Sequence, residues 1–336
     1  MSFSSRLQLY QQIENDRDTA VLSYVTSDRT GMETSIAQDV IDPFVDLLDT
    51  IGPVARISLI LHTSGGHTLT AWRLINLIRM FCDELEVFVP SKAQSAGTLM
   101  SIGSDRIIMT KQAVLGPIDP TLNSPLNPQV NVGGQTTQVP VSVESVRGFL
   151  NLTRDELGIV DQQNLTKVLL ELSSHIHPVV LGDIFRSTEQ IRFLARKLLP
   201  RQVNDERKID SIVDFLCADS GSHDYTIDRR EALDLGLQVG KPSAELYELL
   251  KEIHQSYTEE LQLLNPFSPM EYFADGQTGS RSYMIPRGII EGTAGGGYAY
   301  VSEGILTLIQ IREDGNPVPQ HLINDNRTFE GWRKTP

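Results

Sequence analysis

The sequence predicts an α/β protein built on a parallel sheet, and three observations predict it. The run "RISLILHT" (56–63) is short and almost continuously apolar, as expected of a strand buried on both faces. It is followed by "TLTAWRLINLIRMFC" (68–82), whose apolar positions recur with helical periodicity. The alternation then repeats with "LEVFVP" (85–90), a short helix "AGTLMSIG" (96–103) closed by Gly103, and "DRIIMT" (105–110). Strand–helix–strand units at this spacing imply crossover connections and parallel pairing.

The other elements follow in order. A helix is expected at "SRLQLYQQIEND", a strand at "AVLSYVTS" and a helix at "AQDVIDPFVDLLDTIG". After "LGPIDP" (115–120), residues 121–142 are rich in Asn, Pro, Gly, Gln and Thr, which predicts a loop or small hairpin. Residues 143–200 read as helical, with a break at His177-Pro178 before a long amphipathic helix. A further helix is expected over about 243–263. "GTAGGGYAYVSEGILTLIQI" reads as a hairpin or a pair of strands. We therefore expect a main domain over 1–245, with 121–175 inserted as a hairpin and helices. A helix plus a small β appendage is expected over 246–336, with the segment 265–270 as the boundary.

The 336 residues, 40% apolar, suffice for a sizeable core. No apolar run reaches the ~18 residues of a membrane span. The first residues lack the basic start and apolar stretch of a signal peptide. A soluble, cytoplasmic protein is expected. A net charge of −14 disfavours nucleic acid as partner. The basic stretch Arg192–Arg207 interleaves charges with apolar residues and reads as a solvated helix face. The two cysteines, Cys82 and Cys217, lie in apolar helix-like contexts and are expected as buried thiols. Without a CxxC or Cys/His pattern no metal is expected, and no phosphate-binding GxxxxGK[ST] loop is present, so no cofactor is expected.

Two turns carry the candidate chemistry. Both lie at the carboxyl ends of neighbouring strands, the edge where α/β sheets place their sites. The first is Ser64-Gly65-Gly66, whose glycines let the backbone turn sharply and present N–H groups. The second is Ser95 at the start of a helix, flanked by Ala93, Ala96 and Gly97, small enough for a substrate backbone to approach. Ser95 is either a helix cap or an exposed nucleophile. The dipole of that helix favours negative charge there, with the Ala96 N–H directed at an anion near Ser95 Oγ.

A strand, Ser-Gly-Gly, a helix, a strand and a small-Ser-small turn into a short helix resemble the ClpP/crotonase fold of serine peptidases over 56–120. The finer resemblance is to the serine dehydrogenase proteinase family, which is similar to signal peptide peptidase A. It rests on "LILHTSGG", "AWRLINLIR", "SAGTLMSIGSDRIIM" and "LGPIDP", and on "HIHPVVLGDIFRS", "IRFLARKLL" and "SHDYTIDRREALDLGL", and it covers about residues 5–245. The resemblance implies a spiral of parallel βαβ units, an oxyanion hole from the N–H groups of Gly65 and Ala96, and a homo-oligomer, for which the amphipathic helices of 143–200 are candidate interfaces. Gly66 and His67 would line the substrate groove.

A serine hydroxyl needs a base. ClpP-type chains carry a histidine after the third strand; this chain has Asp119 at that place. The signal peptide peptidase branch uses a lysine before the long helix, where this chain has His175, Ile176 and His177. His177 is the first candidate base, with Asp119 to orient it; a helix-capping role is its plain alternative. In ClpP-type chains the triad aspartate sits seven residues before the Glu-Ala of a terminal helix. Counted back from Glu231-Ala232, that gives Asp224, so His223 and Asp224 form a second option. Lys92, three residues before Ser95, is a lesser candidate, and Lys111 reads as a solvated strand end. His62, His254 and His321 read as structural or surface residues.

The leading expectation is an ATP-independent serine endopeptidase acting on peptides through a Ser95 acyl-enzyme. The alternative is a catalytically inactive scaffold of the same fold that binds peptides or assembles. An acyl-CoA enzyme of crotonase type fits less well, since that group does not depend on a serine in this turn.

Overall fold

The computed structural model describes residues 3–118, 121–122, 124–132, 135–139, 141–219, 224–274, 278–311 and 320–335. Its strands are β1 (Ala20–Thr26), β2 (Val54–His62), β3 (Cys82–Val89), β4 (Lys92–Ala93), β5 (Arg106–Met109), β6 (Val114–Leu115), β7 (Thr121–Leu122), β8 (Gln129–Val132), β9 (Gln135–Gln138), β10 (Val141–Ser142), β11 (Val239–Gly240), β12 (Gly279–Gly292), β13 (Gly296–Ile311) and β14 (Gln320–Thr335). Its helices are α1 (Phe3–Arg17), α2 (Ile41–Ile51), α3 (Thr68–Arg79), α4 (Ala96–Ile102), α5 (Val143–Asn151), α6 (Gln162–His175), α7 (Pro178–Leu198), α8 (Glu206–Asp214), α9 (Arg229–Asp234) and α10 (Ala244–Glu260).

The main sheet has the order β11-β5-β3-β2-β1-β12-β13-β14. The first five strands in that order run parallel, as the alternating sequence predicts. Both faces are covered, which is why β2 reads as a continuous apolar run. Ile57, Leu59 and Leu61 pack into the core beneath α2, α3 and α4, together with the C-terminal half of α7. Ile60, Val21 and Val25 pack on the other face with Tyr10 and Ile13 of α1 and with Leu250, Ile253 and Tyr257 of α10.

The C-terminal residues differ from the expected appendage. β12 pairs antiparallel with β1, so the three-stranded meander β12–β14 continues the main sheet. α10 lies on the second face of that same sheet. A buried arginine fastens the junction. Arg6 of α1 donates from Nε to Glu291 Oε2 at 3.0 Å and from Nη2 to Glu291 Oε1 at 2.5 Å, and from Nη1 to Ser256 and Glu260 of α10. The glycine-rich turn between β12 and β13 docks on α2: a Cβ on Gly295 would stand 2.6 Å from Leu47 Cδ2.

Beyond β7, β8 pairs antiparallel with β9, and α5 and α6 follow. The break at His177-Pro178 is present, with Pro178 opening α7. Among the described residues, no single helix is long and apolar enough to cross a membrane. The bent pair Gln162–His175 and Pro178–Arg201, at 104°, passes that test only when taken together.

Candidate active site

The two turns singled out in the sequence meet in space. β2 ends at His62, and the parallel bridge Thr63–Ala93 then joins the first turn to β4. Thr63 N–H donates to Lys92 O at 3.1 Å and Gln94 N–H to Thr63 O at 3.0 Å. This stitching carries Gly65 onto Ser95. A Cβ built on Gly65 would lie 2.8 Å from Ser95 Cβ and 3.3 Å from Ala96 N, and Gly65 has φ +115°, where a side chain is strained in any case. Gly66 is required by another neighbour, since a Cβ there would stand 2.4 Å from Ile36 N and O.

Ser95 holds the N-cap position of α4 but makes no capping bond. Its φ of 51° and ψ of −116° lie outside the ordinary regions for an L residue. It is 9% exposed, and its hydroxyl has no hydrogen-bond partner among the described residues. A strand-to-helix turn that strains a serine and leaves its hydroxyl uncommitted is how nucleophilic serines are presented. The small residues around it serve packing. Ala93 and Ala96 are fully buried, and a Cβ on Gly97 would meet Thr63 Cγ2 at 2.5 Å.

The two expected oxyanion donors differ. Ala96 N–H stands in the first turn of α4, where no intrahelical acceptor exists. Gly65 N–H donates to Thr63 Oγ1 at 3.0 Å, and that oxygen also accepts from Thr26 Oγ1 at 2.8 Å. For Gly65 to serve an oxyanion, this bond has to be shared or given up.

Around the turn, the "LGPIDP" segment is fastened to α4. Thr98 Oγ1 accepts from Gly116 N–H at 3.0 Å, and a Cβ on Gly116 would stand 3.2 Å from Gln94 Cβ. Leu115 and Ile227 exchange backbone bonds of 2.9 and 3.0 Å. The chain before Asp119 and the chain after Asp224 therefore converge beside Gln94, the neighbour of Ser95. Asp119 and His223 themselves lie outside the described residues. Asp224 is exposed in a turn.

His177 is exposed at the N-cap of α7, where its Nδ1 accepts Val179 N–H at 3.2 Å. That is the capping role named as its plain alternative. His67 is exposed at the start of α3, with its Nδ1 2.9 Å from Thr70 Oγ1. Lys111 stacks over the Tyr247 ring at 5.1 Å.

Sequence reasoning missed a partly buried polar cluster on the α10 side, in which His62 alone is fully enclosed. Lys92 Nζ pairs with Asp28, and His62 Nε2 stands 3.9 Å from Asp28 Oδ1, too long for a hydrogen bond. The His62 and His254 rings lie 5.2 Å apart between centroids. Burial alone would raise the Asp28 carboxyl, but the His62 imidazole and the Lys92 ammonium outweigh it and hold the group well below the usual carboxylate range. Burial, with His62 second, pushes His254 down to about 4. Lys92 Nζ is thus engaged by Asp28. The signal for this cluster was a histidine ending the buried run "LILH". Among the described residues, no group of three or more His, Cys, Asp or Glu is arranged to hold a metal.

Residues 3–136 match the model of the ClpP-like SDH-type serine proteinase family. Two uncharacterized proteins of Methanocaldococcus jannaschii are similar. One is 25% identical over 75% of this chain and 79% of its own length, the other 25% identical over 73% of this chain and 75% of its own. Among solved structures, the 1510-N membrane-bound stomatin-specific protease is similar at 14% identity and TM-score 0.38, over 72% of this chain and 85% of that one. ClpP1 from Listeria monocytogenes is similar at 14% identity and TM-score 0.36, over 70% of this chain and 98% of that one. The matched family is one of serine proteinases, so the match supports a serine peptidase.

Proposed function

We propose that this chain is a serine endopeptidase whose nucleophile is Ser95. The observation that carries the reading is the backbone of Ser95. It is strained, it ends a strand-to-helix turn, it makes no cap bond, and it faces Gly65. A base removes the Oγ proton as Oγ attacks the peptide carbonyl, and the tetrahedral oxyanion rests on the N–H groups of Ala96 and Gly65. Collapse expels the amine, which takes the proton, and water then hydrolyses the acyl-enzyme. For the base, His223 is favoured over His177. The Leu115–Ile227 pairing brings the segment that follows Asp224 to the neighbourhood of Gln94, while His177 is committed to capping α7. Asp119 or Asp224 would orient the imidazole. Protein groups and water suffice for these steps, so EDTA and added nucleotide should leave the rate unchanged.

The test is covalent labelling by a fluorophosphonate between pH 5 and 9, on the parent and on Ser95→Ala. Labelling of the parent that vanishes in Ser95→Ala supports the reading. An unlabelled parent that still binds peptide supports the scaffold reading instead. One observation favours that second reading: the bond between Gly65 N–H and Thr63 Oγ1.

A further inference from the structure

Arg29, one residue beyond the Asp28 cluster, is 5% exposed, and among the described residues its charge has no carboxylate partner. Its Nε donates to Asn265 O at 2.8 Å, and its guanidinium lies over the Phe267 ring at 5.5 Å. Among the described residues both terminal nitrogens lack an acceptor, and neither is among the buried polar atoms sealed from solvent. They have open space to face, and Arg29 lines a cavity of about 280 Å³. The cavity is walled by Phe267, Tyr272, Ile285 and Pro286, with Glu260 and Glu271 at its sides. Glu260 is already engaged by Arg6, and Glu271 is exposed.

A guanidinium cannot shed its proton, so a nearly buried one without an anion is costly. Hydrogen bonds tie down the segment that carries Arg29. Phe267 N–H donates to Thr30 O at 2.8 Å, Met32 N–H to Arg29 O at 2.8 Å, and Arg29 N–H to Ser27 Oγ at 3.1 Å. Two free donors in a planar fork match a carboxylate, which can accept both. The two acidic neighbours disfavour a dianion such as phosphate. The apolar and aromatic walls suit the side chain beside the carboxylate, and the volume suits about one residue.

We propose that this cavity binds the carboxylate of a peptide, held by paired hydrogen bonds from the terminal nitrogens of Arg29. The proposal stands on Arg29 and its cavity and does not depend on Ser95 being a nucleophile. Two sources share the chemistry, the C-terminal carboxylate and an Asp or Glu side chain.

The experiment measures binding by calorimetry to the full chain carrying Ser95→Ala, so that no probe is cleaved. Three probes are used: acetyl-tetraalanyl-leucine as the free acid, the same peptide as its amide, and an amidated peptide with one internal Glu. Binding of the free acid at least about tenfold tighter than the amide supports a C-terminal source. Binding of the internal-Glu amide at that level supports a side-chain source. Arg29→Lys should weaken the preferred probe several-fold, because an ammonium loses the fork. Met284→Glu, at a wall position 66% exposed, should do so without disturbing the fold. Equal binding of acid and amides, no binding of any probe up to about 5 mM, or tight binding unaffected by both substitutions would overturn the proposal.

Discussion

Gly65 and Ser95 stand so close that a Cβ on the glycine would lie 2.8 Å from the Cβ of the serine. No rotamer relieves that contact, because Cβ is fixed by the backbone. Gly65 also has φ +115°, so a side chain is strained there before any clash. Gly65→Ala should therefore lower stability by about 1–3 kcal/mol and displace the Ser95 turn. Thermal unfolding measures the first effect and fluorophosphonate labelling of Ser95 the second. A variant that unfolds like the parent and labels at the parental rate would show that the two turns do not meet.

The two candidate histidines separate by kind of effect. His177 caps α7 through Nδ1, so His177→Ala should cost about 0.5–2 kcal/mol of stability and leave the labelling rate within a few-fold. If His223 is the base, His223→Ala should slow labelling by about 10²–10⁴-fold and flatten its pH profile near neutrality. Labelling lost in His177→Ala and kept in His223→Ala would reverse the assignment.

Lys92 tests the charge cluster. Its ammonium holds the partly buried Asp28 anion, so Lys92→Met leaves that carboxylate facing two histidines without its cation. The variant should lose about 1–3 kcal/mol, and Lys92→Arg should recover most of it. A base role would read differently, with labelling abolished at unchanged stability and no rescue by arginine.

His254 makes stability depend on pH in a defined window. Its folded value is depressed to about 4 from 6.5, so between those values the unfolded chain binds the extra proton. Its contribution is fully present above about 6.5 and is lost as pH falls toward 4. Asp28 is also depressed, and its contribution is lost only below the usual carboxylate range. Urea unfolding at intervals from pH 8 to 4.5 should show stability falling below about 6.5, with a shallower fall in His254→Gln. An identical slope in both proteins would remove His254 as the cause.

How far the sequence could be read depended on where each signal lay. The strands β2, β3 and β5 were legible because burial on both faces leaves an apolar run in the strand itself. The Ser95 turn was legible as a strand-to-helix junction, but its φ of 51° was not, since nothing local distinguishes a strained serine from a capping one. The placement of β12 was illegible for a different reason. Its partner β1 lies near the other end of the chain, so nothing local to β12 marks the pairing. The Asp28, His62, Lys92 and His254 cluster is likewise assembled from four distant segments. Only His62, a polar residue ending an apolar run, left a mark.

Assembly is the last expectation open to measurement. α6 and α7 expose Leu169, Leu170, Phe185 and Phe193, with Phe185 70% exposed. Several large apolar side chains left bare on adjoining helices are what an interface between copies uses. If a homo-oligomer forms through this face, sedimentation velocity should give a mass that is a multiple of 37.4 kDa. Phe185→Glu would then shift it to the monomer, because burying one carboxylate in an apolar contact costs several kcal/mol. Since Phe185 is exposed within one chain, the variant should keep the parental fold by circular dichroism. A parent that sediments as a monomer, or an oligomer indifferent to Phe185→Glu, would place assembly elsewhere or nowhere, and the exposed face would need another occupant.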